Sequence, residues 1–352
     1  MTASLPFRHL ISLEPLGLLY GASGRYLSAE NLTGAAGEHF PPDSPAFAGL
    51  IAAHLPDAAV RDLITAGPFW CRPAAADLDL HLPAPFTLLQ ESGSPTRCVK
   101  AQLSWQNTPG CRGWQCSSEV PAKPEQGGWV PLRLWGDWSS ADLRVQTGPW
   151  KPVPHLHPRL RDDERVSVME DALFLEYAIA IEPGVALAYL SSEGIEPGCY
   201  RFGGEGHLVQ LRCHPVPQRL QQLLNPADGF GPDRPLALIT PGVWGSRKLS
   251  LREPLDDSRQ PAVHPWHSQQ LAPGILTERP RPWRFRLGAG RDGKGRRRLS
   301  RGRWCVPAGT CYALPPGLQI PPWADWPVSW FPGEGNLRLR HFGTALPLPL
   351  RL

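Results

Sequence analysis

Apolar and polar residues alternate over residues 7–19, a period of two that predicts a first β-strand. Residues 20–40 are rich in Gly and Ser and read as a loop carrying Arg25. Ser44-Pro45 then supplies an N-cap followed by proline at the first helical position. Phe47, Leu50, Ile51 and Leu55 recur at helical spacing, so an amphipathic helix is expected over residues 45–55. A second helical piece is expected over 57–65, stopped by Gly67-Pro68, with short strands at 69–71 and 86–90. Residues 91–155 show little periodicity and read as an irregular, Trp-rich excursion. Trp105, Trp114, Trp129, Trp135, Trp138 and Trp150 are expected to plug its gaps.

Patterning resumes near Arg165. Residues 172–181 and 185–190 alternate across Glu182-Pro183-Gly184, which reads as a hairpin. Gly203-Gly204-Glu205-Gly206 forms a turn before a strand over 207–213. A short helix over 217–224 is expected to bury Leu220, Leu223 and Leu224, and a strand follows over 235–240. Residues 304–306 and 310–314 flank Pro307-Ala308-Gly309 as another hairpin, and 336–350 form a closing strand. This order fits a small ferredoxin-like α+β unit in the second of two domains, placed at 1–160 (with the excursion at about 91–155) and 161–352.

Composition adjusts that picture in two ways. Pro 42 and Gly 35 in 352 residues imply many short strands joined by stiff loops, while the apolar content remains that of a globular chain. Charge is concentrated: residues 279–303 hold eleven Lys or Arg against Asp292 alone, a net of +10 in a chain whose total is +4. A basic run broken by Gly288, Gly290, Gly293, Gly295 and Gly302 is no helix stripe or buried strand, so its charge faces solvent or a polyanion. No eighteen-residue apolar run occurs and the first residues lack a signal-peptide pattern. Eight scattered Cys read as reduced thiols in a cytoplasmic protein, with no membrane partner.

The chemistry-bearing residues are few. Cys111, Cys116, His155 and His157 have no standard zinc spacing, and neither a metal nor another cofactor is expected. Gly203, Gly204 and Gly206 either offer backbone N–H groups to a phosphate or simply make a tight turn. No Ser, His and Asp set or paired carboxylate indicates catalysis.

Ordered patches carry a resemblance. They are Leu13-Glu14-Pro15-Leu16, Gly24-Arg25-Tyr26, the stretch 40–51, the stretch 165–174, Gly203-Gly204-Glu205-Gly206-His207, Leu238-Ile239-Thr240-Pro241 and the stretch 306–312. Together they resemble the third-subunit family of the type III-B CRISPR-Cas Cmr effector, within the RAMP superfamily. The resemblance implies two RRM-like (ferredoxin-like) RAMP domains with long insertions and no nuclease activity. It also implies a grip on the repeat-derived 5′ tag of the CRISPR RNA in antiviral defence. Its implied partners are the large polymerase-like subunit and the backbone RAMP subunits. By position it points to Arg25, Ser44, Gly203, Gly204 and Gly206 as RNA contacts, with His207 and His54 standing where the family often has Arg. The basic segment lies outside the family pattern; Arg291, Lys294, Arg296, Arg297 and Arg298 are added here as RNA contacts on charge alone. Two other readings are a metal-independent CRISPR RNA-processing endoribonuclease, with His as general base, and a structural scaffold whose basic loop meets an acidic protein surface.

Overall fold

The computed structural model describes residues 5–20, 40–90, 98–108, 110–119, 127–158, 173–203, 206–254, 274–288, 298–335 and 337–351. The first half holds β1 (His9–Pro15), α1 (Ser44–Ala52), α2 (Asp57–Asp62), β2 (Thr65–Cys71), β3 (His81–Pro83), β4 (Leu88–Gln90), β5 (Val99–Thr108), β6 (Cys111–Cys116), β7 (Trp129–Pro131) and β8 (Trp150–Pro158). Then follow β9 (Leu173–Ile181), β10 (Ala186–Ser191), β11 (Gly198–Phe202), β12 (His207–Pro215), α3 (Gln218–Leu224) and β13 (Leu236–Leu238). The remaining strands are short: β14 (Ile275–Leu276), β15 (Arg281–Trp283), β16 (Arg286–Leu287), β17 (Arg298–Leu299), β18 (Arg303–Cys305), β19 (Cys311–Tyr312), β20 (Gly333–Glu334), β21 (Leu337–Arg338) and β22 (Pro347–Pro349).

The largest sheet runs β11-β12-β1-β10-β2-β3-β7, with every neighbouring pair antiparallel. Alternation places Ile11, Leu13, Leu187 and Tyr189 on the face that packs against Phe47, Leu50 and Ile51 of α1. Leu10, Ala188 and Leu190 point the other way, into a core shared with Leu220 and Leu224 of α3 and Leu236, Tyr312 and Leu348 of a second sheet, β14-β19-β13-β22. That core is continuous across both sheets. The sheet also takes strands from both sides of residue 160, so the expected boundary there cuts through one sheet.

Several expectations need correction. The strands over 173–181 and 186–191 exist but do not pair with each other. β9 forms a ribbon with β8, and β10, buried at all six positions, sits between β1 and β2. A strand apolar on both faces belongs inside a sheet with a core on each side, here formed by Ala188 and Leu190 on one face and Leu187 and Tyr189 on the other, which a local hairpin does not supply. Similarly, β18 pairs β15 while β19 pairs β13 and β14. Gly67-Pro68 ends no helix; both lie inside β2, where the register shifts opposite Tyr189. Two residues there oppose one, a bulge that tolerates a proline lacking its N–H. Residues 91–155 are less irregular than expected: β4, β5 and β6 form a sheet in which Trp105 faces Trp114, ring centroids 5.4 Å apart. Only Pro347–Pro349 of the expected closing strand joins the second sheet.

Candidate nucleic-acid interface

The β11–β12 hairpin pairs Phe202 with His207, with Gly203 and Gly206 at the two ends of its connection. Gly203 has φ +78°, and a Cβ there would stand 2.8 Å from the Tyr20 carbonyl oxygen. Gly206 has φ +67° with the Arg201 side chain 3.3 Å from where a Cβ would be. Left-handed backbone and close approach both demand glycine. Gly203→Ala is therefore expected to cost about 1–2 kcal/mol and to displace the turn from Tyr20. A thermal melt matching the parent protein's would show that the turn is not held in this geometry.

Tyr20 anchors this corner. Its ring is 1% exposed, lies 5.0 Å from the His207 ring, and its hydroxyl is 2.6 Å from His155 Nδ1. Arg25 and Gly204 lie outside the described residues.

Across from the turn runs α1. Ala46, Gly49 and Ala53 form an exposed stripe without bulk, because Phe47, Leu50 and Ile51 take the buried face. Between that stripe and Tyr200, Arg201 and Gly203 lies a groove of about 570 Å³. The His54 ring meets Tyr200 edge-on at 4.8 Å, at one side of the groove. Arg201 is exposed beside Gly203. Sequence reasoning missed Arg201; its signal was the alternation that buries Phe202 and turns Arg201 outward.

Ser44 is not at this surface. Asp43 is the N-cap residue of α1, Ser44 falls inside the helix, and its buried hydroxyl lies 2.8 Å from Thr65 Oγ1. Asp43 instead meets the basic run, accepting from Arg281 Nη2 at 3.3 Å.

The described ends of the basic run pair as the two arms of a ribbon, β15 with β18 and β16 with β17. Trp283 and Cys305 at its root pack with Ala48 of α1. Arg298 is exposed on β17; Arg291, Lys294, Arg296 and Arg297 lie outside the described residues. The structure thus brings Gly203 to the α1 groove, sets Gly206 beside Arg201 and His207 against Tyr20, and places Arg298 on the separate ribbon.

All eight cysteines are free thiols, and burial pushes Cys71, Cys305 and Cys311 up to about 12. Cys111 and Cys116 lie exposed on β6, and among the described residues no three His, Cys, Asp or Glu gather as metal ligands would. Among the same residues, no helix is long and apolar enough to cross a membrane.

The chain matches no known protein family profile and no curated protein. Among solved structures it is similar to a chain of the type III-B Cmr-beta complex bound to cognate target RNA and AMPPnP, at TM-score 0.46 and 10% identity over 86% of this chain and 85% of that one. It is also similar to a chain of a Csm3-Csm4 subcomplex from the type III-A CRISPR-Cas interference complex, at TM-score 0.38 and 9% identity over 90% and 99% of the two chains.

Proposed function

We propose that this chain is a non-catalytic RNA-binding subunit of a type III CRISPR-Cas effector. In this reading it grips the repeat-derived 5′ tag of the CRISPR RNA and docks the large polymerase-like subunit. The supporting observation is that sequence patches far apart in the chain meet in space. Leu13 and Pro15 pair with Leu211 and Val209 just past the Gly203–Gly206 turn, and the 40–51 patch lies across the groove from that turn. Likewise Leu238 accepts from the Gly309 N–H at 2.7 Å, and Gly242, next to Pro241, bridges Val306. A single strand needs amides and cations for phosphate and open faces for splayed bases, which the groove supplies through Gly203, Arg201, His54 and Tyr200.

The order β12-β1-β10-β2, with α1 between β1 and β2, suits the first of two ferredoxin-like RAMP units. In this reading β11 occupies the place of that unit's second helix, and residues 72–185 are an insertion. The second unit is then α3 with the four-stranded sheet.

Purifying the tagged chain from its native host and sequencing the RNA that accompanies it tests this reading. RNAs sharing one repeat-derived 5′ end, with a large partner subunit, are the expected result; no RNA, or RNA without a common end, removes it. Replacing Arg296, Arg297 and Arg298 by Ala should weaken RNA binding while leaving the melt unchanged. Each lost phosphate contact lowers the salt slope by about 0.7. An unchanged slope takes the ribbon off the RNA path.

A second reading draws on one contact. Tyr20 sits between His155 and His207, and two imidazoles around a phenol are groups suited to general acid–base cleavage of RNA. Cleavage in EDTA that is lost in His155→Ala or His207→Ala would favour an endoribonuclease.

A further inference from the structure

Beside the root of the basic ribbon lies a cleft of about 920 Å³, lined by five arginines: Arg247, Arg284, Arg301, Arg303 and Arg338. They converge from segments about 90 residues apart in sequence. No carboxylate lines the cleft among the described residues. The acid nearest in sequence to the lining residues, Glu334, is buried and accepts from the Arg301 backbone N–H at 3.1 Å. Carbonyls hold three of the guanidiniums in place. Arg284 Nε donates to Ser300 O at 2.8 Å, Arg303 Nη2 to Gly333 O at 3.0 Å, and Arg338 Nη1 to Phe331 O at 3.3 Å. Arg247 and Arg301 are exposed, and their side chains make no hydrogen bond or ion pair among the described residues.

Five like charges around one cleft repel one another, which is offset when an anion is held between them. The rings at the cleft, Trp244 and Trp330, are buried and present too little face to stack bases. The walls are therefore phosphate-binding forks without base platforms. Trp283 and Cys305 tie this ribbon root to α1, whose far side forms the groove with Gly203.

We propose that the arginine cleft holds the phosphodiester backbone of an RNA strand, without base preference, as a site distinct from the α1 groove. This rests on the RNA-binding reading above. The experiment measures binding of labelled 20-nucleotide oligo-U and oligo-A to the full chain across a salt series. The variants are the Arg247→Ala/Arg301→Ala pair, its Lys counterpart, and Arg201→Ala in the groove. Loss of two contacts should lower the salt slope by about 1.4 for both oligomers, with the melt unchanged and the Lys pair retaining most of the slope. If Arg201→Ala weakens binding while the cleft pair leaves it untouched, the cleft assignment falls and the groove reading stands. If the unmodified chain binds neither oligomer, the RNA reading falls and the cleft assignment with it. If inorganic phosphate or a mononucleotide competes as strongly as the strand, the cleft is a small-anion site and the assignment is overturned.

Discussion

Phe47→Ala is expected to destabilise the protein by about 3–5 kcal/mol, more than any other single truncation at the α1 face. Phe47 is fully buried, and its ring stacks on Tyr189 with centroids 4.5 Å apart and planes 9° from parallel. Tyr189 has no room to follow into the void. Its hydroxyl donates to Pro42 O at 2.7 Å, and on the strand side its ring passes so close to Gly67 that a Cβ there would lie 2.7 Å away. A ring pinned at its hydroxyl and its edge leaves a cavity when its stacking partner goes, and the cavity adds to the lost transfer energy. Denaturant melts of the variant and of Ala46→Ser, on the exposed stripe of the same helix, provide the comparison. Equal stability of Phe47→Ala and the parent would mean that α1 does not lie on this sheet.

The second large effect is an acid-side loss of stability of about 3 kcal/mol through His81. His81 is 1% exposed, stacks on Trp70 at 3.7 Å, and has Nδ1 2.8 Å from Asp79 O. Burial lowers it from 6.5 to about 4, against a smaller upward pull from Asp79. Above pH 6.5 the imidazole is neutral in both states and contributes no slope. Between pH 6.5 and about 4 the unfolded chain binds a proton that the folded one refuses, so stability falls as pH falls. Below about 4 the folded form is protonated too and the slope ends. His214 and His341 are lowered in the same direction, mainly by burial, and steepen the loss. His81→Phe should flatten the dependence, whatever its stability at pH 7. An identical slope in parent and variant would place the proton elsewhere.

What was legible in the sequence was local. β1, α1 and α3 follow from periodicity within a dozen residues, and Leu220, Leu223 and Leu224 are buried as their spacing requires. Pairing was not legible, since choosing β8 over β10 as the partner of β9 depends on segments that local alternation does not compare. Gly67-Pro68 carries a strong turn signal, yet the bulge opposite Tyr189 uses the same residues for the same backbone reasons. At the candidate site, the glycine turn and α1 were readable. Ser44 turned inward because the cap fell one residue earlier, on Asp43. Tyr20 and Arg201 were missed because each matters only through what folds against it. The cleft shows the same limit: Arg247 and Arg338 join the basic segment only when the chain has folded.

The position of β10 also sets a timetable. β1 and β2 are complete by residue 71, but the strand that bridges them begins at Ala186, about 115 residues later. At ~5–20 residues per second, a ribosome takes roughly 6–23 s to supply it. Through that interval β1 and β2 lack their shared partner, and open strand edges invite pairing with the wrong chain. The centre of the sheet is thus assembled only after its β2-β3-β7 side has been made. While residues 72–185 are being made, those open edges are a site of mispairing that chaperones would have to cover.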